Sequence, residues 1–450
     1  MIIISGGNWS TQNKVRPGVY INFDSDTQLG LTVGQRGVVA ICEPMNWGPV
    51  GQIITVNSGV DTTPYCGYPI YEPEALFLKE IFKGSNRTNG PTQVLLYRPA
   101  ADSSVEATAT TGELTITAVY PGIRGNDINI VITEDVDDEG TFTVQTIVDG
   151  AVVDTQTGAN ISDLVANNWV TFSGSGALAA TAGTPLTGGN NGTVQTAAYT
   201  TFLTALEAYN FDILIYDGTD PTTMAAMQNF VDRLVSNEGM YCQFVAANMT
   251  NPDDRFCINV NVGSIILDDG TTITPQQACW WIGGAEAGAQ YNESLTYVQY
   301  PHAVDVIPRM TGTEIEAAIL AGQITLVPYD GVVKVETDIN SLVTYTSTIS
   351  KVYRKNRIIR LCNTIANDIY QQFSESFIGV INNNDAGRAL FKSVIVGYLL
   401  TIQNNEGIQN FDPENDIEVL PGNDIDSIVI NLSIQAVDSV EKIYMTITVS

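Results

Sequence analysis

TAAYTTFLTALEAYNFDILIYDG, residues 196–218, is the stretch on which the fold turns. Its first part, 196–209, has helical apolar spacing, and FDILIYDG (211–218) is a short apolar block closed by a turn signal. MAAMQNFVDRLVSNEG (224–239) and YCQFVAAN (241–248) repeat the pattern. Helix, strand, helix, strand is the signature of an α/β unit.

The same alternation appears upstream. GVVAIC, QIITV and QVLLYR lie between about 36 and 98, separated by Pro and Gly, and PEALFLKEIF (73–82) has helical spacing with Pro73 suited to a first turn. Residues 101–195 break it. Thr, Ala, Gly and Val dominate there, and ELTITAV (113–119) and DINIVI (127–132) alternate as half-buried strands do. Twelve acids and one base, Arg124, give this segment a charge of −11, and LTGGNNGT (186–193) closes it as a loop. An all-β domain inserted into the α/β unit is expected.

Downstream, ITPQQACWWIGGAEAGAQ (273–290) reads as a helix, and TEIEAAILAGQITLVPYDGVVKVE (313–336) as a helix followed by a hairpin around Tyr329-Asp330-Gly331. Beyond 345, Ile358, Cys362, Ile365, Ile369 and Phe373 form one apolar stripe, which predicts a long amphipathic helix. A second helix is expected over 385–405, and SIVINLSI (427–434) and KIYMTITVS (442–450) alternate as strands. The fold class is therefore multidomain, α/β with α+β. An N-terminal arm (1–22) precedes a middle α/β domain (23–100 with 196–345) that carries an inserted β domain (101–195). A helical-plus-strand C-terminal domain (346–436) and a C-terminal arm strand (437–450) follow.

Composition narrows the function. The 450 residues carry a net charge of −29, which repels nucleic acid and anionic membranes over most of the surface. Only 15% of residues are charged, below the roughly 25% usual for soluble domains, so the surface is rich in neutral polar residues that tolerate contact with other protein. There is no run of 18 apolar residues for a membrane span, and MIIISGGNWS lacks the features of a signal peptide, so folding in a cytoplasm is expected. Six scattered cysteines without a C-x-x-C pair fit buried free thiols, although one isolated disulfide is compatible with the spacing.

Catalytic and cofactor signatures are missing. One histidine, His302, rules out a His-rich metal site, and its place beside Pro301 near a strand end suits a hydrogen-bonded structural role. Neither G-x-S-x-G nor a phosphate-binding G-x-x-x-x-G-K-[ST] occurs, and Gly174, Gly176 and Gly183 do not follow a strand as a dinucleotide loop requires. DVDDEG (135–140) begins like a calcium loop, but Thr146 stands where a bidentate Glu belongs, so an acidic hairpin turn is expected. No enzyme, metal or cofactor is expected.

One cluster runs against the overall charge. KVYRKNRIIR (351–360) holds Lys351, Arg354, Lys355, Arg357 and Arg360, five of the twenty basic residues, and no acid. Arg354, Arg357 and Arg360 fall three apart, along a flank of the helix beside its apolar stripe. A solvated face with internal salt bridges is one reading. Against it, cations in the first helical turns oppose the macrodipole, and no acid sits four residues on, so the counter-charge must come from outside the helix. An acidic protein surface suits that role better than nucleic acid, for which a wider positive field and stacking aromatics are expected.

The chain ends differ in sign. Residues 1–22 contain Lys14 and Arg16 and no acid, whereas residues 404–450 hold nine acids and Lys442. A basic arm and an acidic end carrying a strand, with Ile443, Met445, Ile447 and Val449 on one of its faces, would join neighbouring copies by β-augmentation. An intramolecular terminal hairpin fits the pattern equally.

In sequence the chain resembles the tail sheath proteins of contractile-tailed phages and phage-tail-like bacteriocins. RPGVYINF (16–23) is similar to the family's opening after its arm, and YPGIRGNDI (120–128) to the G-x-x-G-N-D-I segment of its inserted domain. The stretch from PHAVDVIPRM to NSLVTYT (301–346) resembles the join between its middle and C-terminal domains, and NNNDAGR (382–388) its N-x-x-x-G-R turn. The resemblance implies a structural subunit that stacks as a helical homopolymer around an inner tube, with baseplate and tail terminator proteins as further partners. It implies contraction from an extended, high-energy state, without cofactor, nucleic acid or membrane insertion, and assembly in a bacterial host cytoplasm. With the C-terminal domain facing the tube, Lys351, Arg354, Lys355, Arg357 and Arg360 are the expected tube contacts, and the two arms the expected inter-subunit contacts. A β-rich surface adhesin or capsid-type protein is the rival, and a carboxylate-based glycosidase a distant third.

Overall fold

The computed structural model describes residues 33–34 and 36–449, with the backbone alone of 6–7 and 19–20. Lys14 and Arg16 lie outside the described residues. Gly6–Gly7 pairs in parallel with Val19–Tyr20.

The run from 196 to 248 folds as helix Thr196–Leu206, strand Ile213–Tyr216, helix Pro221–Arg233 and strand Gln243–Ala247. The second helix starts where Asp220 accepts from the Thr222 and Thr223 backbone N–H groups at 3.1 and 3.2 Å, with Pro221 at the first helical position. These strands lie inside a seven-stranded sheet. Its order is Gln323–Ile324, Cys257–Val260, Gln243–Ala247, Ile213–Tyr216, Val38–Cys42, Gln93–Tyr97, Ile53–Asn57. All neighbours are parallel except the last pair. Side chains alternate between two cores. Val39, Ile41, Ile213, Ile215 and Val245 face one, and Ala40, Cys42, Leu214, Tyr216 and Phe244 the other. Burial on both faces is why these strands read as unbroken apolar runs.

Helix Ala278–Gly288 is buried at every residue. Its small residues let it press onto neighbouring backbone: a Cβ on Gly284 would stand 2.1 Å from the Ile81 carbonyl oxygen. Within this apolar cylinder Glu286 is also buried, and a charge there demands a partner. The hairpin Leu326–Tyr329 with Val332–Val335 turns through Asp330 and Gly331, both at positive φ, as a two-residue type I′ turn requires.

The insert leaves after the Gln93–Tyr97 strand and returns before helix Thr196–Leu206. It stacks a four-stranded sheet, built from 128–134, 142–148, 151–158 and 181–185, against a three-stranded sheet of 108–111, 114–118 and 170–173. Ile116, Ile128, Ile130, Trp169 and Val170 fill the space between. DVDDEG is the exposed connection between antiparallel strands Ile128–Glu134 and Phe142–Val148. Arg124, the one base of the insert, is buried and staples it to the middle domain. Its Nε donates to the Gly67 carbonyl at 3.0 Å, its Nη1 and Nη2 to Asp149, and its guanidinium lies over the Tyr68 ring.

Two long helices, Asn356–Ser376 and Asp385–Asn404, and the hairpin Ile417–Pro421 with Ile428–Leu432 enclose a fourth core. The apolar stripe packs as expected at Ile358, Ile365 and Phe373, while Cys362 and Ile369 are half-buried. KIYMTITVS, expected as a strand, forms none between 442 and 449. SIVINLSI instead takes Ile417–Pro421 as its partner, and residues 442–449 pair with no strand among the described residues. This corrects the intramolecular hairpin. Ile443, Tyr444, Met445, Ile447 and Val449 are each between 75% and 91% exposed. All six cysteines are free, and His302 Nδ1 lies 2.8 Å from Asp268 Oδ2.

Candidate functional site

The basic cluster is divided by a change of backbone. Lys351–Arg354 is a 3₁₀ turn, Lys355 is extended, and the long helix begins at Asn356. A short antiparallel bridge between Ile339 and Lys355 places the helix start against the end of the middle domain. Rotation of the helix from that point carries Arg357 and Arg360 inward.

Arg360 is 0% exposed. Its Nη1 donates to Glu286 Oε2, and its Nη2 to Asp338 Oδ2 at 2.8 Å and to the Glu293 carbonyl at 2.6 Å. Asn356 donates to Glu286 Oε1 at 3.0 Å and receives Gln243 Nε2 at 3.3 Å. Asp338 Oδ2 also accepts the Leu295 N–H at 3.0 Å. The sequence expectation of a solvent-facing arginine flank is therefore corrected for Arg357 and Arg360. The missing counter-charge does lie outside the helix, but within the subunit.

The electrostatics follow from two buried carboxylates facing one guanidinium. Burial, then repulsion from Asp338, holds the Glu286 carboxyl well above its ordinary range despite Arg360. Burial pushes Asp338 the same way, but Arg360 and the hydrogen bonds to its carboxylate outweigh that and hold it below. Burial lowers the Arg360 guanidinium, and the two acids more than restore it. Removing one member of such a set leaves an uncompensated buried charge, at a cost of about 3–5 kcal/mol.

Further contacts lock the same helix down. Asn367 pairs with both backbone groups of Tyr241, at 3.0 and 2.9 Å. Asp368 Oδ2 accepts the Gly34 N–H at 3.0 Å and the Tyr398 hydroxyl at 2.6 Å. Nearby, buried Arg36 lies 3.3 Å from Asp212, which caps the Gly37 and Val38 N–H groups at 2.8 and 3.0 Å.

The remaining cations divide. Lys355 Nζ pairs with Glu441 at the root of the C-terminal arm. Arg357 is buried, and its Nη2 reaches the Glu406 carbonyl at 3.4 Å. Lys351 is exposed, and Nε and Nη2 of half-buried Arg354 bond to nothing among the described residues. Thus three of the five expected contact residues are engaged inside the subunit. Glu286, Asp338 and Thr296 were missed by sequence reasoning; the available signal was a lone Glu inside ACWWIGGAEAG. Among the described residues no group of His, Cys, Asp and Glu could hold a metal ion.

The fold and this junction define a class: an α/β subunit with an inserted β-sandwich, a helical C-terminal domain locked to it, and a terminal segment that pairs with no strand among the described residues. Tail sheath domains match the chain in four consecutive pieces. They are the Gp18 domain III N-terminal region (36–98), the phage tail sheath β-sandwich domain (102–191), the central domain (192–341) and the C-terminal domain (348–450). The uncharacterized protein YqbK of Bacillus subtilis is 37% identical over 99% of this chain and 100% of its own. A sheath tail protein from Desulfitobacterium hafniense is 41% identical, with a TM-score of 0.85 over 95% of this chain and 99% of that one. The sheath of the anti-feeding prophage in its contracted state shares the fold at 12% identity, with a TM-score of 0.57 over 97% and 99%. The chain belongs to the phage tail sheath protein family. It is a tail sheath subunit, and the adhesin and capsid readings fall away.

Proposed function

We propose that the subunit polymerises as a helical array around an inner tube, in the cytoplasm of a bacterial host, and that its terminal arms link neighbouring copies while the array contracts. The observation that carries this is the exposed end, unpaired among the described residues. Residues 442–449 alternate apolar and polar side chains, a pattern that pays off only when a second copy supplies the strand edge. The locked junction supports the same reading, because a body that does not deform can transmit rotation to its neighbours. Energy is then stored as the difference between two packings of subunits, with baseplate and terminator proteins at the two ends. Lys14 and Arg16 of the N-terminal arm, and Ile443, Met445, Ile447 and Val449 of the C-terminal arm, are the proposed linking residues.

The tube contact is proposed at Lys351 and Arg354, the members of the cluster that are not fully buried and make no side-chain bond among the described residues. Exposed pairs contribute only about 0–1 kcal/mol each, which suits a grip that must be released. The test is co-sedimentation of the subunit with tube protein at low and high salt. Lys351→Glu with Arg354→Glu should abolish sheathed tubes while leaving thermal unfolding unchanged. Sheathed tubes at parental yield would exclude this face from the tube.

A further inference from the structure

The C-terminal arm is not loose along its whole length. Val437 N–H donates to the Gly407 carbonyl at 3.0 Å, and the Glu441 side chain is 15% exposed. From Lys442 to Val449 every residue is exposed. Glu441 is thus the last point at which the described chain is held.

What holds it is specific. One Glu441 oxygen takes the Lys355 ammonium, from the residue that precedes the long helix. The other accepts the Thr296 hydroxyl at 2.8 Å, from the middle domain. Thr296 Oγ1 in turn accepts the Asp338 N–H at 2.9 Å, and the Asp338 carboxylate holds Arg360 against Glu286. An unbroken polar path therefore runs from the arm root to the buried centre of the subunit. It bypasses the 417–432 hairpin that separates the arm from the helices in sequence.

We propose that Glu441 is the tether point of the C-terminal arm. By bridging Lys355 and Thr296 it ends the rigid body, sets the direction in which residues 442–450 leave, and passes tension in the arm to both domains at once. The proposal rests on the reading that the arm links copies. Both sides of the bridge matter. Lys355 supplies charge, and Thr296 supplies direction, because a hydroxyl already fixed by the Asp338 N–H can donate only one way. A pair that is mostly sheltered from water also resists salt better than an exposed one.

Hydrogen exchange of the full-length subunit tests this first. Glu441→Ala should speed exchange of the Val437 amide, the last backbone-to-backbone donor before the tether, about tenfold, the scale expected for losing a charge-assisted hydrogen bond, and leave the helix 356–376 protected. The exchanged pair, Lys355→Glu with Glu441→Lys, should recover much of the protection that either single change loses. A merely structural role for either side chain gives no such recovery. Unchanged exchange in Glu441→Ala would overturn the tether. Assembly separates this from the underlying reading. A chain lacking 442–450 that still assembles refutes arm linkage, whatever Glu441 does. If that truncation fails to assemble and Glu441→Ala gives particles of unaltered helical order at unaltered yield, the tether alone is refuted. Disordered or fewer particles from Glu441→Ala support it.

Discussion

Replacing Arg360 by Met removes the one positive charge at the buried junction and keeps most of the side-chain volume. Glu286 and Asp338 would then face each other without a cation, both fully buried. Three hydrogen bonds go with the guanidinium, two of them to carboxylates. Breaking one partner out of a buried charged set costs about 3–5 kcal/mol. At roughly 2–4 °C per kcal/mol for a domain of some 150–250 residues, the fall in melting temperature is about 10 °C. The assay is calorimetric unfolding of the full chain at pH 8 and pH 5. Without Arg360 both carboxyls hold protons to higher pH than their ordinary values of 4.5 and 3.8, so the folded variant binds protons the unfolded chain has released. Its stability therefore declines as pH rises above those ordinary values, and its deficit against the parent is larger at pH 8. Adding Glu286→Gln should recover a large part of the loss, because only Asp338 is then left unpaired. A melting temperature within about 2 °C of the parent at both pH values would refute the junction as a structural lock.

Three further outcomes are expected. Gly284→Ala drives a methyl group into the Ile81 carbonyl and should destabilise the middle domain by about 1–3 kcal/mol, read as a lower urea midpoint. Arg124→Ala should leave the middle-domain transition in place but weaken attachment of the insert by roughly 2 kcal/mol, read as faster proteolysis near residues 99–105 and 190–195. Asp232, raised to about 7 by burial and the neighbouring Asp254, holds a proton that the unfolded chain releases above 3.8, so its contribution to parental stability declines as pH rises from about 4 through 7. Asp232→Asn removes that decline, and urea midpoints at pH 5.5 and 8 should differ less for the variant than for the parent.

Much of the architecture was legible because its signals are local. The strands around residues 213 and 245 announce themselves as apolar runs, since both faces of the sheet are covered. The insert is visible as a change of period and composition, and DVDDEG as a turn because strands flank it. The junction was not legible for the opposite reason. Arg360 meets Glu286 across 74 residues and Lys355 meets Glu441 across 86, and no periodicity reports contacts at such separations. An apolar stripe fixes which side of a helix is buried, but not that charged neighbours of the stripe are buried with it. Arg360 was placed on the right helix and assigned to the wrong surroundings. The terminal strand failed differently: its alternation is real, but SIVINLSI pairs with 417–421 and residues 442–449 pair with no strand among the described residues.

The most direct test of the sheath account is electron microscopy of the purified chain, alone and with tube protein, beside a version ending at Glu441. The account predicts hollow striated cylinders from the full chain and dispersed subunits from the shortened one. Dispersed particles from the full chain, even with tube protein present, would contradict it.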